Sequence, residues 1–104
     1  MLIYVDIDET ICETPVSRDY TQSRPIVENI EKINKLFLEG HTVIYWTARG
    51  TVTGKDWSEI TKKQLSLWKA LYSDVKFGKP AYDVFICDKA INSIDFFKDE
   101  RIIK

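Results

Sequence analysis

Histidine, cysteine, proline and glycine are all scarce in this 104-residue chain: one, two, three and four residues respectively. The lone histidine, His41, follows Gly40 in a helix-to-strand turn and reads as a turn residue rather than a ligand or catalytic base. Cys12 and Cys87 lie far apart and match no metal spacing, so the sequence predicts two reduced thiols and a cytoplasmic protein. Net charge is nearly absent too, at −1. That removes the electrostatic reason to expect nucleic acid or a membrane surface as partner. Lys62-Lys63 reads as a solvated helix face. No apolar run approaches the ~20 residues of a membrane span, and the first residues read as a core strand rather than a basic leader peptide. Repeats, low-complexity tracts and linkers are lacking as well.

What remains has the composition of a soluble globular protein, 44% hydrophobic and 30% charged. It is expected to form one domain over residues 1–104, large enough for a single core. The short apolar run Leu2-Ile3-Tyr4-Val5 leads directly into Asp6-Ile7-Asp8-Glu9-Thr10. Acidic residues are poor strand formers, and a buried carboxylate is costly unless paired. Two of them at the carboxyl end of a first strand mark a site, because ligands of open α/β sheets bind just outside those ends. Such a pair can hold a hard cation through oxygen, or divide nucleophile and acid/base roles.

The remaining elements are read from periodicity. Residues 2–7 are predicted as the first strand and 9–24 as a polar, irregular flap. Ile26, Ile30, Ile33 and Phe37 recur at helical spacing from Pro25 until Gly40 stops the helix. Thr42–Trp46 is a second buried strand, ending in Thr47-Ala48-Arg49-Gly50. Asp56 and Glu59 read as a capping box opening a second helix that runs through Trp57, Ile60, Leu67, Trp68 and Leu71. Val75–Phe77 is predicted as a third strand, Tyr82–Cys87 as a fourth ending at Asp88, Asn92–Lys98 as a last helix, and Arg101–Ile103 as an edge strand. The tryptophans at 46, 57 and 68 fall on apolar stripes and read as core. Strands alternating with helices imply a mostly parallel α/β sheet with right-handed crossovers.

With these motifs in place, the chain resembles the haloacid dehalogenase superfamily of phosphatases and phosphotransferases. The resemblance rests on Asp6-Ile7-Asp8-Glu9-Thr10, Thr47, Lys79 within Phe77-Gly78-Lys79-Pro80, and Cys87-Asp88. It implies a Rossmann-like three-layer sandwich, and the sequence most resembles the small phosphatases of capsule and polysaccharide biosynthesis. It also implies roles. Asp6 attacks phosphorus and forms an aspartyl-phosphate, and Asp8 serves as acid and then base. Thr47, with Ala48, Arg49 and Lys79, binds the phosphoryl group. Mg2+ is held by the Asp6 carboxylate, the Asp8 carbonyl and Asp88. Arg49 reads equally as a substrate contact or as a partner of Glu9 or Glu13.

Two departures from the family pattern stand out: Glu9 where glycine is usual, and Cys87 where the nearest pattern has a first aspartate. Cys87 is expected to pack away from the metal. No segment is long enough for a cap domain. The resemblance therefore implies a capless core with an open site, covered by the flap (Pro15, Val16 and Tyr20 being its candidate contacts) or by a second copy in a homo-oligomer. The expected reaction is Mg2+-dependent hydrolysis of a small phosphorylated metabolite, a sugar phosphate first. The alternatives are a polynucleotide-end or phosphoprotein phosphatase, and a non-catalytic phosphate- or metal-binding protein.

Overall fold

A computed structural model describes residues 1–99. The order is β1 (Leu2–Val5), β2 (Cys12–Glu13), a 3-10 turn (Tyr20–Gln22), β3 (Arg24–Pro25), α1 (Val27–Leu38), β4 (Thr42–Trp46), α2 (Ser58–Leu67), β5 (Asp74–Lys76) and α3 (Ser93–Lys98). β1, β4 and β5 form a parallel sheet in the order β1-β4-β5, with Val5 opposite Tyr45 and Trp46 opposite Lys76. β2 and β3 form a separate antiparallel ribbon.

The β-branched and aromatic residues of β4 suit a strand buried on both faces. Val43 and Tyr45 enter the main core with Ile3 and Val5 of β1 and Val75 of β5. Ile30, Ile33 and Leu36 of α1, Leu65 of α2 and Phe96 of α3 close over them. Ile30 and Ile33 belong to the helical stripe expected from the sequence; Leu36 is buried in place of Phe37, which packs at the edge of the core. On the other sheet face Ile44 is buried, but Leu2 and Tyr4 are 64% and 46% exposed. The two-sided cover of a three-layer sandwich is therefore not reached over β1 among the described residues.

Several expectations need correction. β1 stops at Val5 because the chain turns at once: Thr10 and Ile11 N–H both donate to the Ile7 carbonyl. Pro25 pairs with Cys12 instead of opening α1, which starts at Val27. The Asp56–Glu59 capping box does not form as such. Asp56 Oδ1 instead accepts from the Ser58 N–H at 2.9 Å and the Ser58 hydroxyl at 2.6 Å. α2 ends at Leu67, short of Leu71, where Lys69 takes φ +58. The predicted fourth strand, Tyr82–Cys87, is irregular, and Val84, Phe85 and Ile86 are exposed. A β-prone pattern makes a strand only when a neighbour satisfies its backbone and covers a face. The predicted edge strand at 101–103 lies outside the described residues. No helix among the described residues is long and apolar enough to cross a membrane.

Candidate active site

Parallel pairing puts the carboxyl ends of β1, β4 and β5 at one edge of the sheet, so Asp6, Thr47 and the 77–79 segment meet there. The ladder continues past the strands. Thr47 N–H donates to the Lys76 carbonyl at 3.0 Å, and Lys79 N–H donates to the Thr47 carbonyl at 3.1 Å. Thr51 Oγ1 then donates to the Lys79 carbonyl at 2.8 Å. Main chain thus holds Lys79 beside Asp6, with Nζ 3.2 Å from Oδ2. Burial alone pulls the Lys79 ammonium down. The Asp6 charge and hydrogen bond, with Tyr82, outweigh it and leave the pKa raised. Lys79 stays charged at neutral pH. The Asp6 side chain is 41% exposed, so a ligand can reach its carboxylate.

Asp8 sits in a different environment. The turn after β1 carries Glu9 at φ +62, the left-handed region that glycine occupies without strain. Glu9 N–H closes this turn on the Cys12 carbonyl at 2.9 Å. Asp8 is thereby aimed inward at Arg49. Arg49 Nε and Nη2 donate to Asp8 Oδ2 and Oδ1 at 3.0 and 2.9 Å, a bidentate fork. Thr14 Oγ1 donates to Oδ1 at 2.5 Å, and Cys12 Sγ lies 3.5 Å from it. Burial pushes the Asp8 carboxyl up. The Arg49 hydrogen bonds and charge, with Thr14 and Cys12, reverse this and hold it below the usual 3.8. Burial, with the nearby Asp8 charge, pushes the Cys12 thiol up to about 12, so it is a protonated donor and not a nucleophile.

Arg49 therefore pairs with Asp8, and neither Glu9 nor Glu13 is its partner. Glu9 faces Arg18 at 3.2 Å on the surface, where such a pair contributes little. The Arg49 side chain is fully buried. Its loop depends on Gly50: φ is +83, and a Cβ there would stand 2.1 Å from the Lys55 carbonyl oxygen. Thr47 is also fully buried, and its Oγ1 accepts from the Arg49 N–H at 3.1 Å. Ala48 lies between them, partly exposed.

The fourth motif does not follow a strand. With residues 82–87 irregular, Asp88 is an exposed residue whose Oδ1 lies 3.8 Å from Cys87 Sγ. Among the described residues no group of three His, Cys, Asp or Glu side chains could hold a metal ion. The donors that the resemblance implies for Mg2+ are two carboxylates and the Asp8 main-chain carbonyl, and of these Asp88 stands in the exposed segment that follows residues 82–87.

The sequence singles out Tyr20 as a flap contact but not Thr14, Ser23, Thr61 or Gln64 as parts of this site. The one usable signal was on α2, where polar Thr61 and Gln64 share the inward helical stripe with Leu65.

This architecture makes the chain a small α/β protein with a parallel sheet and a polar cluster at the strands' carboxyl edge. No family model matches it, and no curated protein does. Among solved structures it is similar to the crystal structure of a target protein from Vibrio cholerae. The TM-score is 0.85 at 24% identity, over 97% of this chain and 92% of that one. At that identity the likeness establishes a shared fold.

Proposed function

We propose that the protein is a phosphomonoester phosphatase of the haloacid dehalogenase type, with Asp6 as nucleophile. The observation that carries this reading is the Asp6–Lys79 pair, an exposed carboxylate and a charged ammonium 3.2 Å apart at the sheet edge. An anionic phosphate meets the Lys79 charge first, which offsets its repulsion from Asp6. Asp6 attacks phosphorus, and the bond to the leaving oxygen breaks as the aspartyl-phosphate forms. Asp8, held ionised by Arg49, is in the state that takes a proton from the water attacking that intermediate. Aryl phosphates, whose leaving group needs no proton, are then the easiest substrates; a small sugar phosphate is the preferred natural class, and its leaving alkoxide takes a proton from solvent water at the open edge. The open edge leaves substrate discrimination to the flap, to the substrate's own bulk or to a cover from a second copy. Cytoplasmic residence belongs to the same proposal, resting on the two free thiols.

The Mg2+ requirement that the resemblance implies is tested directly. Phosphate release from aryl, sugar and nucleotide phosphates is measured with Mg2+ and with chelator, on the natural protein and on Asp6→Asn. Turnover lost in Asp6→Asn supports the reading. Turnover that survives the substitution, or none from folded protein on any phosphoester, contradicts it. Loss of turnover with chelator supports Mg2+ dependence.

A further inference from the structure

We propose that Arg49 is a positioning residue that locks Asp8, the flap and α2 into one unit, and that it is not a substrate ligand. A guanidinium has five N–H donors, and here each has an internal partner. Nε meets Asp8 Oδ2. Nη1 donates to Thr61 Oγ1 at 3.0 Å and Gln64 Oε1 at 2.6 Å. Nη2 meets Asp8 Oδ1 and Ser23 Oγ, the latter at 3.4 Å. Those partners come from the turn after β1, the flap and α2. A buried guanidinium with no donor left has nothing to offer a phosphate.

The flap between Thr14 and Ser23 has little else to hold it. Its 3-10 turn buries no residue, and Val16 is 97% exposed. The anchoring contacts run through the Arg49 cluster. The Tyr20 ring lies 4.6 Å from the guanidinium carbon and packs edge-on to Trp57 at 4.9 Å. Gln64 Nε2 donates to the Tyr20 carbonyl at 2.6 Å, and Thr14 Oγ1 lies 2.8 Å from Ser23 Oγ. One side chain thus sets both the orientation of Asp8 and the closure of the flap.

Only the kinetic arm of the test rests on the phosphatase reading. Amide hydrogen exchange is measured for Arg18, Gln22 and Ser23 in the flap, and for β4 as control, in the natural protein, Arg49→Met and Arg49→Lys. Both variants are expected to exchange at least tenfold faster in the flap while β4 stays protected. Lysine keeps the charge but cannot fork to three elements. Unchanged flap exchange in Arg49→Met, or full rescue by Arg49→Lys, overturns the proposal. If Arg49→Met also exposes β4, Tyr20→Ala takes its place, and it must open the flap with β4 intact for the proposal to stand. With an aryl phosphate, kcat is expected to fall at least tenfold with KM within threefold. A tenfold rise in KM at unchanged kcat overturns the proposal and makes Arg49 a substrate ligand. If the natural protein has no turnover, the phosphatase reading fails, while the exchange arm still decides the role of Arg49.

Discussion

Residues 8–23 with Arg49, and residues 81–91, both carry motifs of the same expected site, yet the structure treats them in opposite ways. In the first region every polar group at the centre is partnered: Asp8, Arg49, Thr14, Ser23, Thr61 and Gln64 form one hydrogen-bonded cluster. The second region is exposed throughout, including the apolar Val84, Phe85 and Ile86. Position in a structure comes from tertiary partners. Arg49 and Asp8 are 41 residues apart and hold each other, whereas Tyr82–Cys87 has a strand-like pattern and pairs with no strand among the described residues.

The contrast breaks most visibly at Arg49. Arg49→Met leaves the Asp8 carboxylate without its counter-ion and is expected to cost ~3–5 kcal/mol in denaturant unfolding. Asp88→Asn in the exposed region should stay within ~0.5 kcal/mol. Equal costs would erase the distinction between the two regions. Next in size, Thr14→Val removes a hydrogen bond to a charged carboxylate and is expected to cost ~1.5–3 kcal/mol by the same measurement. Glu9→Gly works in the opposite direction. It relieves a left-handed φ and gives up only a surface ion pair, so a gain of ~1 kcal/mol is expected.

The pH response sharpens the comparison further. The folded pKa of Asp8 lies below its unfolded value, so its contribution is fully present above about 3.8 and is lost as pH falls through the lower folded value. Unfolding midpoints between pH 7 and 5 should show no change from this group. Below pH 4 the natural protein should lose stability more steeply than Asp8→Asn, whose side chain has no proton to gain.

Much of the fold was legible in the sequence, because periodicity and stop residues report local structure directly. Ile30 and Ile33 of the expected stripe and the run Thr42–Trp46 came out as expected, while Leu36 takes the buried place expected of Phe37. So did Asn92 at the start of α3, whose side chain accepts from the Ile94 N–H. The meeting of Asp6 with Lys79 followed from parallel strands sharing a carboxyl edge. The Asp8–Arg49 fork was not legible, since no local period links those two positions. The fate of Tyr82–Cys87 was hidden for the converse reason: its local pattern is strong, and only its surroundings decide. Glu9 lies between these cases. Its departure from the usual glycine was visible, and the structure adds the left-handed backbone that makes it matter.

Trapping the intermediate tests Asp6 as nucleophile most directly. The protein is mixed with an aryl phosphate, quenched in acid within the first turnovers, and its peptides are analysed by mass spectrometry. A phosphoryl group on the peptide carrying Asp6, absent in Asp6→Asn, is the expected result. Turnover with no phosphoryl group on Asp6, or with one on another side chain, would contradict it.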